Sequence, residues 1–257
     1  MLAVVLSTTE RYDAGSMSLC LAAEMGSPEC PALVIDADIA AGGDASLAER
    51  LGTSQRRSFE PWVRGLPTLL AARSRFSEEL ISEHVCVPDG TDSWLLLGPA
   101  STAGRHYAHD WVDRHINRLR RLDSGRVVLV TASLAGLEAR PSSLPVDADA
   151  VVMLASGEDS AELSAAARRC VADGDGGDGA DPRRDARWMA MVADNAPLAD
   201  AAIIESAGCE AVVRLPARDD ARVLQTLSRR QRRLAGPVSE IAVRLLEMQA
   251  TLAGGVA

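Results

Sequence analysis

The sequence predicts an α/β protein built on a doubly wound, mostly parallel sheet with helices on both faces. Three observations carry this expectation. Short aliphatic, β-branched runs alternate along the whole chain with longer Ala/Leu/Arg segments that repeat at helical spacing. Most of the short runs are apolar throughout, over four to six residues, as strands covered on both faces must be. Aromatic residues make up only 3% of a chain that is 47% hydrophobic, so the core has to come from Ala, Val, Leu, Ile and Met. A length of 257 residues suits one large domain with ample surface to bury.

The elements follow in order. A strand at 2–6 leads into a helix at 14–25 and a second strand at 32–35. Helices are expected at 44–52 and 60–73, then a strand at 93–97 and a helix at 106–122. Strands at 127–130 and 150–154 precede a helix at 159–173. A strand at 188–192, a helix at 198–207 and a strand at 211–214 come next, and two helices at 218–234 and 237–252 close the chain. Right-handed crossovers make the sheet parallel. The Gly/Asp-rich stretch 173–187 (DGDGGDGADPRRDAR) has nothing apolar enough to pack and predicts a mobile surface loop. Its carboxylates lack the spacing and the closing glutamate of a calcium loop. There is no internal repeat, so residues 1–257 are expected to form a single domain.

Composition excludes several chemistries. The chain has 27 basic residues, all of them arginine. A lysine Schiff base, a lysine general base and the lysine of a phosphate-binding P-loop are therefore impossible. Cys20, Cys30, Cys86, Cys170 and Cys209 are scattered, with no CxxC pair, and are expected to be reduced, mostly buried small hydrophobes. No signal-peptide pattern follows Met1, no apolar run reaches the length of a membrane span, and the net charge is −9. The expectation is a soluble cytoplasmic protein with no general affinity for nucleic acid.

In a doubly wound sheet, ligands bind beyond the carboxyl ends of the strands. The first strand opens into Ser7-Thr8-Thr9-Glu10-Arg11-Tyr12-Asp13-Ala14-Gly15-Ser16, placed to cradle phosphate on backbone amides and a helix N-terminus. The loop is poorly equipped for that, with one glycine and two carboxylates. Glu10 or Asp13 lodged in the hollow would disfavour nucleotide. The second strand ends in Asp36 and Asp38, which at i and i+2 on a strand share one side. They could hold a magnesium-bound water, or simply end the strand and cap the following helix.

These two segments, with the LCLAA helix between them and the LVIDADIAAGG run after it, resemble the ParA/MinD family of deviant Walker A ATPases. The resemblance aligns without a gap. Thr9 falls on the family's signature lysine, Ala14 on its phosphate-binding lysine, and Gly15 and Ser16 on its threonine pair. Asp36, Asp38, Gly42 and Gly43 fall on its acidic and glycine positions. Further on, 149–154 looks like the family's aDxvvlV strand, 191–195 like the strand whose asparagine, here Asn195, reads adenine, and 213–216 like its iP segment. The departures shape the expected function. Both lysines are gone, the loop is acidic and polar, and the third strand's magnesium-side aspartate is missing where 127–130 runs on into Thr131-Ala132-Ser133. What the resemblance then implies is a pseudo-ATPase without a cofactor, similar to the TadZ/CpaE branch that helps place pilus machinery at the cell pole. It would act as a localisation or assembly scaffold through protein contacts. The alternative is a divergent ATP-binding or weakly hydrolysing protein in which Asp36 and Asp38 hold magnesium and Arg11 replaces a lost lysine. Family members dimerise across ATP through the signature lysine. With Thr9 in its place, a homodimer is expected to be independent of nucleotide.

Other clusters offer weaker chemistry. His106, His109, Asp110 and His115 lie on one expected helix, and in the absence of a second ligand cluster they are expected to be surface histidines. Arg114, Arg118, Arg120 and Arg121 alternate with Asp110, Asp113 and Asp123, which predicts pairing among them. Arg229, Arg230, Arg232 and Arg233, beside Arg218 and Arg222, could touch DNA, anionic lipid or an acidic partner, although a solvated helix face is the favoured expectation. Ile241, Leu245, Met248 and Leu252 share a face of the last helix. Lacking the basic polar face of a membrane-surface helix, that helix should dock on the core. No GxSxG elbow supports nucleophilic catalysis.

Overall fold

In the computed structural model the described residues are 1–8, 13–40, 47, 65–72, 76–88, 91–99, 101–122, 125–140, 142–171, 187–215 and 227–254. Their strands are β1 (Leu2–Ser7), β2 (Leu33–Ile35), β3 (Trp94–Leu96), β4 (Val128–Ser133), β5 (Ala150–Ala155), β6 (Arg187–Ala193) and β7 (Ala211–Leu215). They form one sheet in the order β3-β2-β4-β1-β5-β6-β7, and every pairing is parallel. The helices are α1 (Ala14–Met25), α2 (Leu66–Ala71), α3 (Glu78–His84), α4 (Thr102–Leu119), α5 (Leu134–Ala139), α6 (Leu144–Asp147), α7 (Ser160–Val171), α8 (Asp200–Ala207) and α9 (Leu227–Gly254).

The strand alternation sorts side chains into two cores. On β1, Ala3 and Val5 join one cluster with Leu19, Leu21, Ile241 and Leu245, under α1 and α9. Leu2, Val4 and Leu6 join the other with Leu69, Ile81, Val112, Leu163 and Ile203, under α2, α3, α4, α7 and α8. Both faces of the sheet are thus covered, which is why its strands read as continuous apolar runs. At β1 the strand order changes direction, with β4 on one side and β5 on the other, and this places the ends of β1, β2 and β4 at the crevice where such folds bind ligands.

Two expectations about the last segment need correction. From Leu227 onward one helix runs through Pro237, where two helices separated near residue 235 were expected. A proline inside a helix removes a hydrogen bond at a cost of about 3 kcal/mol, but unbroken continuation keeps Val238, Ile241, Ala242 and Leu245 buried at 0–2% exposure. The helix docks on the core as expected, except that Leu252 is 47% exposed, because residues 250–254 all lie uncovered. The sequence periodicity also missed the short α3, α5 and α6. The helix expected at 44–52 lies outside the described residues apart from Leu47, as does the loop at 173–187 apart from Arg187, which opens β6. Among the described residues no helix is long and apolar enough to cross a membrane.

Candidate functional site

At the end of β1 the chain leaves the sheet through Thr8, whose N–H and hydroxyl both donate to the Leu154 carbonyl at 3.0 and 3.1 Å. Asp13 is the N-cap of α1. The first turn of a helix has backbone N–H groups with no partner in the helix, and an anion or a side-chain oxygen must satisfy them. Here the Asp13 carboxylate does so. It accepts the Ser16 N–H at 2.8 Å and the Gly15 N–H at 3.4 Å, and it also accepts the Ser16 hydroxyl. Ala14, Gly15 and Ser16 are buried. The carboxylate of Asp13 therefore occupies the place where a helix N-terminus would receive a phosphate oxygen.

Asp36 and Asp38 do not act as a strand pair, because β2 ends at Ile35 and the backbone beyond it is no longer extended strand. Asp36 is 2% exposed. Its Oδ1 meets the guanidinium of Arg105 at 3.5 Å, and its Oδ2 accepts the Gly98 N–H at 3.2 Å. Arg105 comes from the first turn of α4, is fully buried, and also donates to the Asp38 carbonyl at 2.6 Å. Burial pushes the Asp36 carboxyl up from the usual carboxylate range, with the Arg105 charge and hydrogen bond opposing. Thr131 of β4 completes this corner. It accepts the Ala37 N–H at 3.2 Å and donates to the Ile35 carbonyl at 3.3 Å.

Asp38 turns the other way. Its Oδ1 accepts the Ser133 hydroxyl at 2.6 Å and the Ala40 N–H at 3.0 Å. Burial raises its pKa, and the bond from Ser133 opposes. Ser133 is itself the N-cap of α5, accepting the Gly136 N–H at 3.0 Å. Asp38 crowds that turn, since a Cβ on Gly136 would lie 2.8 Å from Asp38 Oδ1. The two aspartate side chains thus point into different internal networks, one closed by Arg105 and one by Ser133, which meet where Arg105 donates to the Asp38 carbonyl. Asn195 lies exposed in the turn after β6, while Thr9 and Arg11 lie outside the described residues.

Sequence reasoning missed Arg105, which lies just outside the helix expected at 106–122. The available signal was a buried strand-end aspartate in need of a cation, and an arginine in the first turn of a helix is only a faint match to it.

The histidines also depart from expectation. His109 is 3% exposed, its Nε2 lying 3.8 Å from Asp113, and burial lowers its pKa. His115 is half-buried and stacks on Phe76 and Trp111. The packing of α4 against the sheet turns both inward. Among the described residues no group of three or more His, Cys, Asp or Glu side chains is arranged to hold a metal ion. None of the described cysteines is in a disulfide; Cys20 and Cys209 are buried, Cys30 and Cys86 half-buried. Cys170 and the side chains of Arg229, Arg230, Arg232 and Arg233 lie outside the described residues.

The fold matches solved structures over nearly its whole length. A ParA family ATPase from Chlorobium tepidum TLS superposes with a TM-score of 0.64 at 14% identity, covering 95% of this chain and 98% of that one. The septum site-determining protein MinD from Pyrococcus horikoshii OT3, solved with Mg-ADP, gives 0.62 at 14% identity, over 100% and 99%. The MinC:MinD cell division complex from Aquifex aeolicus gives 0.61 at 12% identity, over 96% of each chain. No family model and no curated protein matches the sequence. The chain therefore has the ParA/MinD-type fold.

Proposed function

We propose that this chain is a catalytically inactive protein of ParA/MinD type, a single degenerate domain over residues 1–257. It would act as a localisation or assembly scaffold through protein–protein contacts, for pilus or secretion machinery at the cell pole or inner membrane face. The observation that carries the proposal is Asp13. Its carboxylate satisfies the first N–H groups of α1, so a nucleotide phosphate would have to displace an anion already in place and then face its charge.

The residues at the strand ends also fit magnesium and a triphosphate poorly. Asp36 is committed to Arg105 and Asp38 to Ser133. Thr131 stands on the strand that resembles the family's magnesium-side strand. No lysine exists anywhere in the chain to offset charge developing on a transferred phosphoryl group. No step through ATP is therefore assigned to this site.

Titration calorimetry with ATP, ADP and magnesium, run beside a phosphate-release assay, tests this. The expected result is no heat of binding and no release above background. Hydrolysis abolished by Asp38→Ala would overturn it in favour of a divergent, weakly hydrolysing positioning ATPase. Self-association, if it occurs, should be a homodimer indifferent to nucleotide. Light scattering with and without Mg-ATP checks this, and a monomer that dimerises only with nucleotide would contradict it.

A further inference from the structure

We propose that the groove between α3 and α4, on the β3 side of the sheet, is a docking site for a short acidic protein segment with an aromatic or aliphatic anchor. The assignment rests on the reading of this chain as a protein-contact module and names the chemistry of one partner. Two cavities of about 650 and 280 Å³ adjoin across Phe76 and Ser77. Their joint volume is in the range of sites that hold sizeable ligands. The groove lies away from the carboxyl ends of the strands, since Trp94, which opens β3, and Leu122, just past α4, line its larger part.

Its lining is unusual for this chain. The sequence has only four Trp, two Tyr and two Phe, yet Phe76, Trp94 and Trp111 all line this groove. Phe76 stacks on His115 with centroids 5.2 Å apart and planes at 12°, and Trp111 stacks on the same ring at 4.8 Å. Both aromatic residues are half-buried. The smaller cavity, walled by Leu69, Leu80 and Trp111, has room for one large apolar side chain.

Charge identifies the occupant. The sequence predicts that the α4 arginines pair with Asp110, Asp113 and Asp123; the structure turns the first two carboxylates elsewhere, and Asp123 lies outside the described residues. Asp110 pairs with Arg140 at 2.5 Å. Asp113 accepts from Ser142 at 2.6 Å, and Arg120 reaches Asp149. Arg114, Arg118 and Arg121 are left exposed along the groove with no carboxylate partner among the described residues. Arg114 bonds only the Asp110 carbonyl, at 3.0 Å, and Arg118 lies over the Phe76 ring at 5.9 Å. On the opposite wall Glu78 is neutralised by Arg126 at 2.8 Å, which leaves Glu79 as the facing charge.

The groove is thus basic in a chain of net charge −9, complementary to carboxylates spaced along a segment. Glu79, Ser82 and Asn117 also line it and call for hydrogen-bond donors as well as acceptors. A peptide backbone supplies both, whereas a phosphodiester backbone brings acceptors alone and would also meet the overall negative field.

The test uses the full-length protein and a fluorescein-labelled peptide in which aspartate and glutamate alternate with leucine and phenylalanine, read by anisotropy. Saturable binding is expected. It should weaken about a hundredfold in Arg118→Gln/Arg121→Gln, counting roughly tenfold for each charge-assisted contact. Both arginines are exposed, and circular dichroism verifies that the variant is folded. The same peptide with its acids replaced by amides should bind the unmodified protein at least about tenfold more weakly. No saturation up to about 1 mM, equal binding of the amide peptide, an unaffected double variant, or tighter binding of an oligothymidylate would each overturn the proposal. Calorimetry with nucleotide addresses a different face, so failure here and failure of the pseudo-ATPase reading are distinguishable.

Discussion

Arg105 and Asp36 lie 69 residues apart in the chain and meet at 3.5 Å with side chains 0% and 3% exposed. Their contact joins the first turn of α4 to the end of β2, and it places a permanent internal cation beside the carboxylate that the sequence offers for magnesium. Arg105 pays for this position with incomplete satisfaction, since its Nε and Nη2 are buried without a hydrogen-bond partner among the described residues.

Removing one member of a buried pair leaves the other charged and uncompensated. Arg105→Met is therefore expected to lower the stability of the fold by about 3–5 kcal/mol, measured by urea unfolding. Arg105→Met/Asp36→Leu should recover most of that loss, because a buried pair replaced by apolar groups is often neutral. A double variant no more stable than the single one would show that the pair is not coupled in this way.

The fold was legible because its signal is collective. Most of the seven strands are apolar runs whose alternate residues serve two cores, so Leu2 and Ala3 both read as strand without either being decisive. The chemistry at the strand ends was less legible. Asp36 and Asp38 stand out in sequence, but their partners Arg105 and Ser133 come from distant elements, and no local spacing announces them. The α4 charges misled for a related reason. Helical spacing brings Asp110 and Arg114 together, yet the Asp110 carboxylate goes to Arg140, beyond α5. Pro237 is the opposite case, a strong local breaker inside a helix whose following residues Val238, Ile241, Ala242 and Leu245 are buried.

The close approach at α5 gives a second prediction. Gly136→Ala would put a Cβ 2.8 Å from Asp38 Oδ1 and 3.1 Å from Ser133 Oγ. The carboxylate would have to give up its bond from Ser133 or the helix cap would open. The expected cost is about 1–3 kcal/mol, typical of overpacking at a rigid site. Thermal unfolding of Gly136→Ala beside Gly125→Ala separates causes. Gly125 has nothing within 4 Å but sits at φ +64°, so any loss there is backbone strain and not crowding.

His109 sets a pH dependence. Burial holds its pKa below the ordinary 6.5, against the pull of Asp113 and Asp110. The folded state therefore prefers the neutral ring, and the unfolded chain takes up the proton first as pH falls. The stability this group contributes is complete above about pH 6.5 and is lost on acidification toward the lowered value. His109→Gln keeps a polar side chain without the titration, so its unfolding free energy should fall less between about pH 6.5 and 5. Identical slopes for the two proteins, by urea unfolding at each pH, would remove His109 from the account.

If the Asp13 carboxylate is what fills the N-terminus of α1, deleting it should create an anion site. In Asp13→Gly the Gly15 and Ser16 N–H groups lose their acceptor, while a glycine N-cap costs only a few tenths of a kcal/mol relative to aspartate. The helix dipole and the exposed amides then favour an added anion. Inorganic phosphate should raise the melting temperature of the variant, since a ligand that binds only the folded state stabilises it by mass action, and should leave the unmodified protein unchanged. The comparison is made against chloride at matched ionic strength, so that general screening cancels. The geometry at Ser16 sets the direction of this effect. Its N–H already bonds Asp13 at 2.8 Å, and phosphate would take over that bond without a carboxylate to repel it. A phosphate-dependent shift of equal size in both proteins would mean that Asp13 does not exclude anions from this turn, and it would remove the chief support for an inactive site.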